Sequence, residues 1–597
     1  MRLRLLFALV YVSCFLLGAV TVQIVGGPSV EAPANFDTAV ATCTNKRMIV
    51  GSSQSVANTV SVAASCDLEF QGAGALSVAS TKVVTMNGQV LSPRRQIFSG
   101  SGTVAFPVGT KTRTLFAEWW GATCDGTTDD SAAVSALLAA CATAGCSASF
   151  CPMKFGAVTI NKPANILLEP GTFTITDTIA FSRLVGGMFK GVTGPSQGSG
   201  IGTRLVWGGG ARNPMFTYDD VNRLTSGDFR IVSSAATPLN VIWFFYNGTG
   251  ASTVTPGYRK FENIIADGTD TGLTTRGAQY ATPADASCTA DKVPWWCCTG
   301  VGTGACPASV NANNDFDVWD RVFIANGDDT QFVAWSFEST QSVMHLLFHS
   351  RFSGVLYGVS TASGLTDAGG QFNWIFGQGG SAKGSDFYIG TSNREGLIIG
   401  FDSENSQRFL DSTGPGAGSM PFTVQNSRWS AFAAIENTAC IGSLNPNICC
   451  TGAGTGTCEY AVRWQARGPL KIQNSVIGDC SGCTHDVKLL LNASSSAVVT
   501  GEITGSQIKS TAADSAILAV THASFERWRS LGNLKNNAGT ITHLPDQEVL
   551  TPIVQGSLPS AINGTLMFCS DCTIANPCAG GGSGALAKRL NGVWVCN

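Results

Sequence analysis

Two pairs of carboxylates, each pair two positions apart, give this chain its clearest candidates for acid–base chemistry. The first pair lies in Asp315-Phe316-Asp317-Val318-Trp319-Asp320-Arg321. If this run is a strand with its apolar residues inward, alternation predicts a shared outer face of Asp315, Asp317, Trp319 and Arg321. Two carboxylates about 6.5–7 Å apart suit an inverting glycoside hydrolase, which needs room for a water between them. Trp319 would stack on a sugar ring and Arg321 would bind an acidic substituent.

The second pair lies in Phe401-Asp402-Ser403-Glu404-Asn405-Ser406-Gln407-Arg408, where Asp402 and Glu404 would share a face and Arg408 would bind substrate. Asp402 follows Asp317 by 85 residues (402 minus 317). At roughly 25 residues per coil of a repeating fold, the pairs would lie three or four coils apart. Either one pair is catalytic, or both line subsites of one groove. The alternative for each is a polar turn with ordinary surface charge.

Other polar clusters give weaker signals. Asp219-Asp220 and Asp328-Asp329 are adjacent residues whose side chains diverge in a strand, so they favour turns. His345 and His349 would pair on a metal only in a helix, whereas their surroundings indicate a strand. The glycine-rich run 379–384 lacks the Lys-Ser/Thr ending of a phosphate-binding loop. The sequence therefore predicts no cofactor and no metal at the candidate site.

Short strands must position these residues. Only 13% of the 597 residues are charged, against about 25% in ordinary globular chains. Glycine is abundant, with 69 residues, and strand-like runs separated by Gly or Ser recur along the chain. They include 60–63, 83–86, 103–106, 158–160, 229–232, 261–265, 318–324, 397–399, 470–473 and 498–500. This composition favours β-structure with many polar turns.

A glycine- and aspartate-rich turn precedes an amphipathic helix at Gly121-Ala122-Thr123-Cys124-Asp125-Gly126-Thr127-Thr128-Asp129-Asp130. Thr128 or Asp129 can cap this helix. Its predicted inner face contains Ala133, Val134, Leu137, Leu138 and Cys141. The segment resembles the opening signature of pectate-lyase-like proteins, which include rhamnogalacturonase- and epimerase-like domains and phage tailspikes. The resemblance implies an all-β fold: a right-handed, single-stranded parallel β-helix with a short N-terminal capping helix.

The resemblance implies a function less clearly than a fold. Members of the family cleave glycans with surface carboxylates, so we expect a polysaccharide depolymerase, a hydrolase rather than a lyase. The polygalacturonase motifs are absent, and the run at 318–321 lacks the His of a pectate lyase. The alternative is a non-catalytic tailspike- or adhesin-like protein. Tailspikes also imply association into a homotrimer.

The N-terminus and the cysteines indicate export. Arg2 and Arg4 precede an apolar run from Leu5 to about Ile24, which fits a signal peptide or an uncleaved membrane anchor. Of 21 cysteines, 20 remain when Cys14 in this leader is set aside (21 minus one). An even number behind an export signal favours disulfides, and Cys43 could pair with Cys66. We expect a secreted, extracellular or virion-associated protein.

Cysteine-rich segments also divide the chain. Cys288, Cys297, Cys298 and Cys306 share their spacing with Cys440, Cys449, Cys450 and Cys458, which predicts two disulfide-stapled loops, with zinc cassettes as the alternative. The C-terminus contains Cys569, Cys572, Cys578 and Cys596 around an Asn591-Gly592 hairpin turn. This predicts a disulfide-stapled β-module, with a zinc ribbon as the alternative. The expected domains are 1–25 (leader), 35–116 (β-rich coils), 117–545 (β-helix with loop inserts) and 546–597 (C-terminal module).

The charge of the chain limits its partners. The net charge is −3, and no basic run follows the first four residues. Nucleic-acid binding through phosphate contacts is therefore not expected. We expect a polysaccharide partner, with any membrane attachment confined to the N-terminus.

Overall fold

The computed structural model describes most of the chain between residues 21 and 597. The described residues are 21–25, 35–141, 146–192, 202–210, 214–246, 257–269, 272–280, 315–328, 332–337, 343–361, 371–389, 395–406, 408–412, 421–430, 460–464, 469–477, 488–491, 499–509, 519–520, 525–537, 540–543, 547–550, 552–558, 561 and 563–597. Contacts within the chain divide the protein into two units: residues 1–209 with 221–231, and residues 210–220 with 232–597. Both units are built from parallel strands.

The first unit opens with three-sided coils that wind around an apolar interior. Each side is a parallel sheet whose partners lie about 20–24 residues apart, as in Lys46 opposite Cys66 and Val60 opposite Val84. The first sheet contains Thr21–Val25, Lys46–Val50, Cys66–Phe70 and Val90–Leu91. The second contains Ser53–Val56, Ala75–Val78 and Phe98–Gly100, and the third Val60–Val62, Val83–Met86 and Thr103–Ala105. Alternate residues of these strands are buried, so each side turns its apolar residues toward the interior.

Further coils follow in the same unit. One sheet contains Thr114–Phe116, Cys146–Phe150, Lys154–Phe155, Ala164–Leu168, Gly171–Ile175, Met188–Lys190 and Thr203–Trp207. Val158–Ile160 pairs in parallel with Ile179–Ser182. The strand Thr225–Ser234 contains the division between the two units.

The second unit contains two families of strands, which pair in parallel except for Thr540–His543 and Gln547–Leu550 at the end of the first family. The long sheet, as we call the first, holds Lys260–Thr269, Val318–Ala325, His345–Phe348, Arg351–Ser353, Phe372–Gly380, Gly396–Glu404, Phe422–Gln425, Arg428–Ser430, Leu470–Gln473, Val476–Ile477, Val499–Thr504, Gln507–Lys509, Phe525–Leu531, Leu534–Asn537, Thr540–His543 and Gln547–Leu550. The second family holds Phe216–Asp219, Leu239–Tyr246, Leu273–Tyr280, Val333–Phe337, Val355–Ser360, Ala382–Ile389, Leu410–Ser412, Tyr460–Trp464, Lys488–Leu491 and Ala519–Val520. The chain alternates between the two families, so this is the predicted parallel β-helix.

Two α-helices lie in the first unit. Phe36–Ala41 begins after Asn35, whose side chain accepts the Thr38 N–H. Ser131–Ala140 is the predicted capping helix, and its predicted inner face is buried. The N-cap position is Asp130, one residue after the predicted caps, and Asp129 accepts the first helical N–H, from Ser131, at 3.0 Å. Short 3₁₀ turns occur at Ala117–Trp120 and Gln555–Ser557.

The acids of the turn before the capping helix have structural roles. Asp130 is the N-cap residue, and its carboxylate accepts the Thr123 N–H at 2.9 Å and the Cys124 N–H at 3.3 Å. Asp125 accepts the Thr128 hydroxyl and the N–H groups of Thr128 and Thr127, and these hydrogen bonds, the hydroxyl's above all, lower the pKa of its carboxyl. The motif therefore folds the turn that starts the helix.

The C-terminal module is a small four-stranded sheet. Its strands are Pro552–Ile553, Leu566–Cys569, Ala585–Leu590 and Val593–Cys596, beside the short pair Cys572–Thr573 and Ala579–Gly580. Asn591 and Gly592 both have positive φ, as the predicted hairpin turn requires. Cys569 bonds to Cys572 and Cys578 to Cys596, so these sulfurs are not free to ligate zinc.

Three more disulfides occur among the described residues. Cys43–Cys66 confirms the predicted pair, while Cys124–Cys151 and Cys141–Cys146 were not anticipated. Both sets of insert cysteines, and most of the proposed leader, lie outside the described residues. Among the described residues, no helix is long and apolar enough to cross a membrane.

Buried hydroxyls link successive coils of the long sheet. Ser475 accepts the Ser427 N–H at 3.2 Å and donates to the Gln473 carbonyl at 2.9 Å. Ser506 repeats this arrangement beneath Ser475, and Asn533 accepts the Ser506 N–H. These side chains form hydrogen bonds with the backbone N–H and carbonyl groups that have no partner in the strand pairing where each coil turns.

We expect Ser475→Ala to lower the free energy of unfolding by about 1–3 kcal/mol, because it leaves the buried Ser427 N–H without an acceptor. Chemical denaturation of the variant measures this loss. Ser55→Ala, at an exposed serine, is the control. Equal stability of the two variants would contradict a structural role for the buried hydroxyl.

Candidate functional site

The first predicted cluster does not form an outer face. Asp317 and Trp319 are fully buried, whereas Val318 is partly exposed, so the expected orientation of this strand is wrong by one residue. A shift of one residue moves every side chain of a strand to the opposite face. Arg321 does lie outside, with 54% of its side chain exposed, and Asp315 is partly exposed.

A buried ion pair explains this orientation. The Asp317 carboxylate accepts hydrogen bonds from three groups of Arg259: the backbone N–H at 3.0 Å, Nε at 2.9 Å and Nη2 at 2.6 Å. Tyr280 donates its hydroxyl to the same carboxylate at 2.9 Å and accepts the Trp319 indole N–H at 3.1 Å. Arg259 also lies over the Phe245 ring at 4.4 Å. An inward carboxylate is stable here because a cation and a hydroxyl solvate it.

Aromatic packing fixes Trp319 in the interior. Its ring stacks on Phe261 of the preceding coil at 4.1 Å and meets Trp335 edge-on at 6.2 Å. His345 lies in the same interior, stacked on Phe337 at 4.7 Å. Burial lowers the pKa of His345 to about 3 and raises that of Tyr280. Asp317 and Trp319 are therefore enclosed within the fold, away from any polymer outside it.

The second predicted pair does lie on the outer face. Asp402 and Glu404 are partly exposed, and Ser403 between them is buried. Arg428, on the next coil, places its Nε 4.0 Å from Asp402. Three strand pairings separate Asp402 from Phe323, which agrees with the expected three or four coils between the clusters.

The interior beneath this pair contains the predicted cation Arg408. Arg408 is buried and donates to Asp411 at 2.9 Å, so its expected role in binding substrate is wrong. Ser403 donates to the buried Asp386 at 2.5 Å. Burial raises the pKa of Asp386 to about 7, and the Ser403 hydrogen bond acts in the opposite direction.

The outer face of the long sheet changes character along the coils. On the coils from 318 to 399 its partly exposed side chains are largely apolar, and we call this group the apolar patch: Val318, Leu346, Phe348, Ile375, Leu397 and Ile399. On the later coils the same columns carry Thr423, Gln425, Lys471, Gln473, Glu502 and Thr504. A partly exposed apolar patch beside polar side chains suits a binding surface.

Aromatic and cationic side chains border the apolar patch. Phe376 is 52% exposed, and its ring stacks on exposed His349 at 5.9 Å. Arg351 lies over the Phe323 ring at 4.8 Å. The sequence pattern does not assign Phe376, His349 or Arg351 to a polysaccharide site.

A signal in the sequence does mark where the coils turn. It is the recurrence of Asn-Ser and Gly-Ser at 426–427, 474–475 and 505–506.

Solved structures of similar fold come from phages and from a bacterial surface. Tailspike protein 3 of bacteriophage CBA120 is 10% identical, with 81% of this chain and 68% of that chain covered and a TM-score of 0.33. The surface adhesin PfbA of Streptococcus pneumoniae is 9% identical, with coverage of 81% and 98% and a TM-score of 0.35. ORF18 of Geobacillus virus E2 is 11% identical, with coverage of 82% and 86% and a TM-score of 0.28.

At identities and TM-scores this low, these likenesses carry no argument about the function of this chain. The sequence matches no protein-family model and no curated protein. Functional inference therefore rests on the outer face of the long sheet.

We expect Asp317→Ala to lower the free energy of unfolding by about 3–5 kcal/mol, because it leaves the Arg259 guanidinium buried without its carboxylate. Replacing both partners, as in Arg259→Met/Asp317→Leu, should recover most of this loss, because no charge is then buried. Equilibrium denaturation of both variants makes the comparison. A double variant no more stable than the single one would show that the burial of an unpaired charge is not the cause.

The raised pKa of Asp386 predicts that its contribution to stability falls with rising pH. Between about pH 4, where an unfolded Asp ionises, and about pH 7, only the folded chain keeps this proton. Buried His345 acts with the opposite sign between about pH 3 and 6.5, since there only the unfolded chain binds its proton.

The variant Asp386→Asn isolates the first effect. When the pH is raised from 5 to 8, we expect the change in the melting temperature of this variant to be more positive than the change in that of the unmodified chain, because the variant has no carboxyl at this position to ionise. Taking the difference between the two proteins cancels the contribution of His345. An identical change in both proteins would exclude Asp386 as the source.

Proposed function

We propose that this chain binds a polysaccharide along the outer face of the long sheet. The observation that carries the proposal is the apolar patch at 318–399, bordered by the exposed rings of Phe376 and His349 and by the charged side chains of Arg321, Arg351 and Asp402. Sugar rings combine apolar faces with polar edges, so aromatic platforms beside charged groups suit them. Parallel coils extend such a surface in one direction, as a polymer requires.

The proposal includes a location outside the cell or on a virion. Five disulfides among the described residues favour an oxidising environment. The same proposal includes membership of the pectate-lyase-like superfamily, a leader at 1–25, the domain bounds given above and assembly as a homotrimer. Sedimentation of the purified chain tests the last of these.

A second candidate function is hydrolysis of the bound polysaccharide by Asp402 and Glu404. Their placement on one outer face favours it, since residues two apart on a strand lie about 6.5–7 Å apart at Cα. One carboxyl would protonate the leaving oxygen, and the other would activate water. Of the acids predicted as catalytic, Asp317 is withdrawn from this role by its burial, so Asp315 loses the acid with which it was predicted to act.

A reducing-end assay on acidic and neutral polysaccharides tests both functions. If the chain is a hydrolase, Asp402→Asn or Glu404→Gln should each reduce cleavage by about 10²- to 10⁴-fold without changing the melting temperature. Glu502→Gln, an outward-facing acid of the same sheet, is the matched control and should cleave normally.

The outcomes of this assay separate the two functions. Binding without cleavage by any variant or the unmodified chain would leave a non-catalytic adhesin and exclude the hydrolase. Absence of both binding and cleavage across the polysaccharides would overturn the proposed function.

A further inference from the structure

Each coil of the long sheet turns at a residue with left-handed backbone. These corner residues are Asn263, Arg321, His349, Phe376, Gly400, Asn426, Asn474, Gly505 and Gly532, with φ between 49° and 64°. Glycine adopts this conformation without strain, and asparagine tolerates it well. For other residues the left-handed conformation costs roughly 1–2 kcal/mol.

Three consecutive corners depart from this preference. Arg321, His349 and Phe376 occupy left-handed positions, whereas the corner directly before them is Asn263 and the described corners after them are Asn or Gly. Strained residues of this kind persist where the side chain itself is needed, and they cluster at ligand sites. We call these three residues the corner ridge.

The side chains of the corner ridge are exposed and face one another. Half of Arg321 and half of Phe376 are open to solvent, and His349 is exposed. The His349 ring stacks on Phe376 with an angle of 21° between the planes. A Cβ at Gly400 would lie 2.6 Å from Cδ1 of Phe376, so glycine at the next corner makes room for this ring.

Cationic side chains border the corner ridge. Arg321 contacts Asp320 at 3.0 Å, but the Asp320 side chain is only 12% exposed. Arg351, on the same coil as His349, lies over Phe323 and has no carboxylate partner among the described residues. Two guanidinium groups therefore face solvent on these coils, while the outward acids Asp402 and Glu404 lie on the coil after that of Phe376.

We propose that the corner ridge is the subsite for a carboxylate-bearing sugar, an inference that rests on the proposed polysaccharide-binding function. Phe376 and His349 stack against the apolar face of the pyranose ring. Arg321 and Arg351 bind its carboxylate, since guanidinium groups pair with carboxylates through two parallel hydrogen bonds. The coil of Asp402 and Glu404 follows directly after that of Phe376, so a sugar on the ridge lies next to these acids.

The test replaces each ridge residue by the residue that other corners already use. Arg321→Asn, His349→Asn and Phe376→Asn each relieve left-handed strain, so their melting temperatures should equal or exceed that of the unmodified chain. Binding of polygalacturonate, alginate and hyaluronate is measured by calorimetry, with their carboxyl-reduced forms and dextran alongside. At least one acidic polymer should bind, and each variant should weaken its binding by tenfold or more. Asn474→Gly, at a corner beyond the ridge, is the control and should bind normally.

Each result bears on one inference. If the unmodified chain binds none of the polymers, the proposed function fails and the ridge subsite with it. If it binds one and the three variants bind equally well, the proposed function stands and the ridge subsite is wrong. Equal binding of an acidic polymer and its carboxyl-reduced form, or binding of dextran alone, would overturn recognition of the carboxylate.

Discussion

The whole fold depends on each coil returning in register above the one before it. A parallel β-helix can stack only if every coil turns at the same place, and in the long sheet a left-handed residue makes that turn. The residue after the turn is often a buried Ser, whose hydroxyl accepts a backbone N–H of the adjacent coil. With the corners fixed, the strands between them present alternate residues to the interior and to solvent. The candidate surface is a consequence of this regularity.

The interior accepts charge where the chain supplies complete partners. Asp317 has Arg259 and Tyr280, while Arg408 has Asp411. Among the described residues, Asp386 has Ser403 and Ser406 at its carboxylate and no buried cation, so burial raises its pKa instead. These differences follow from one rule: a buried carboxylate either finds a cation or keeps its proton.

Local signals in the sequence predicted local structure. The capping turn before Ser131, the Asn591-Gly592 hairpin and many strands carry their information within a few residues. Cys43 and Cys66, 23 residues apart in the β-rich N-terminal region, were predicted to pair. The orientation of Asp317 could not be predicted in this way, because Arg259 lies 58 residues earlier in the chain. Asp402 and Glu404 were correctly placed outside, since the alternation along their own strand determines the face. Arg321 was predicted to bind substrate but not to occupy a corner, and His349 and Phe376 were missed, because a left-handed position filled by a bulky residue has no sequence signature.

The Asp317 carboxylate also joins two distant points of the chain. Tyr280 lies 37 residues before Asp317, and a 2.9 Å hydrogen bond connects the two side chains inside the coils. The entropic cost of bringing two chain positions together rises slowly with their separation, by about 0.6 kcal/mol for each doubling. Because this contact is made in the interior, the stability of the coils depends little on how many residues separate Tyr280 from Asp317. The length and sequence between them can therefore change during evolution, while the coils on either side keep their register.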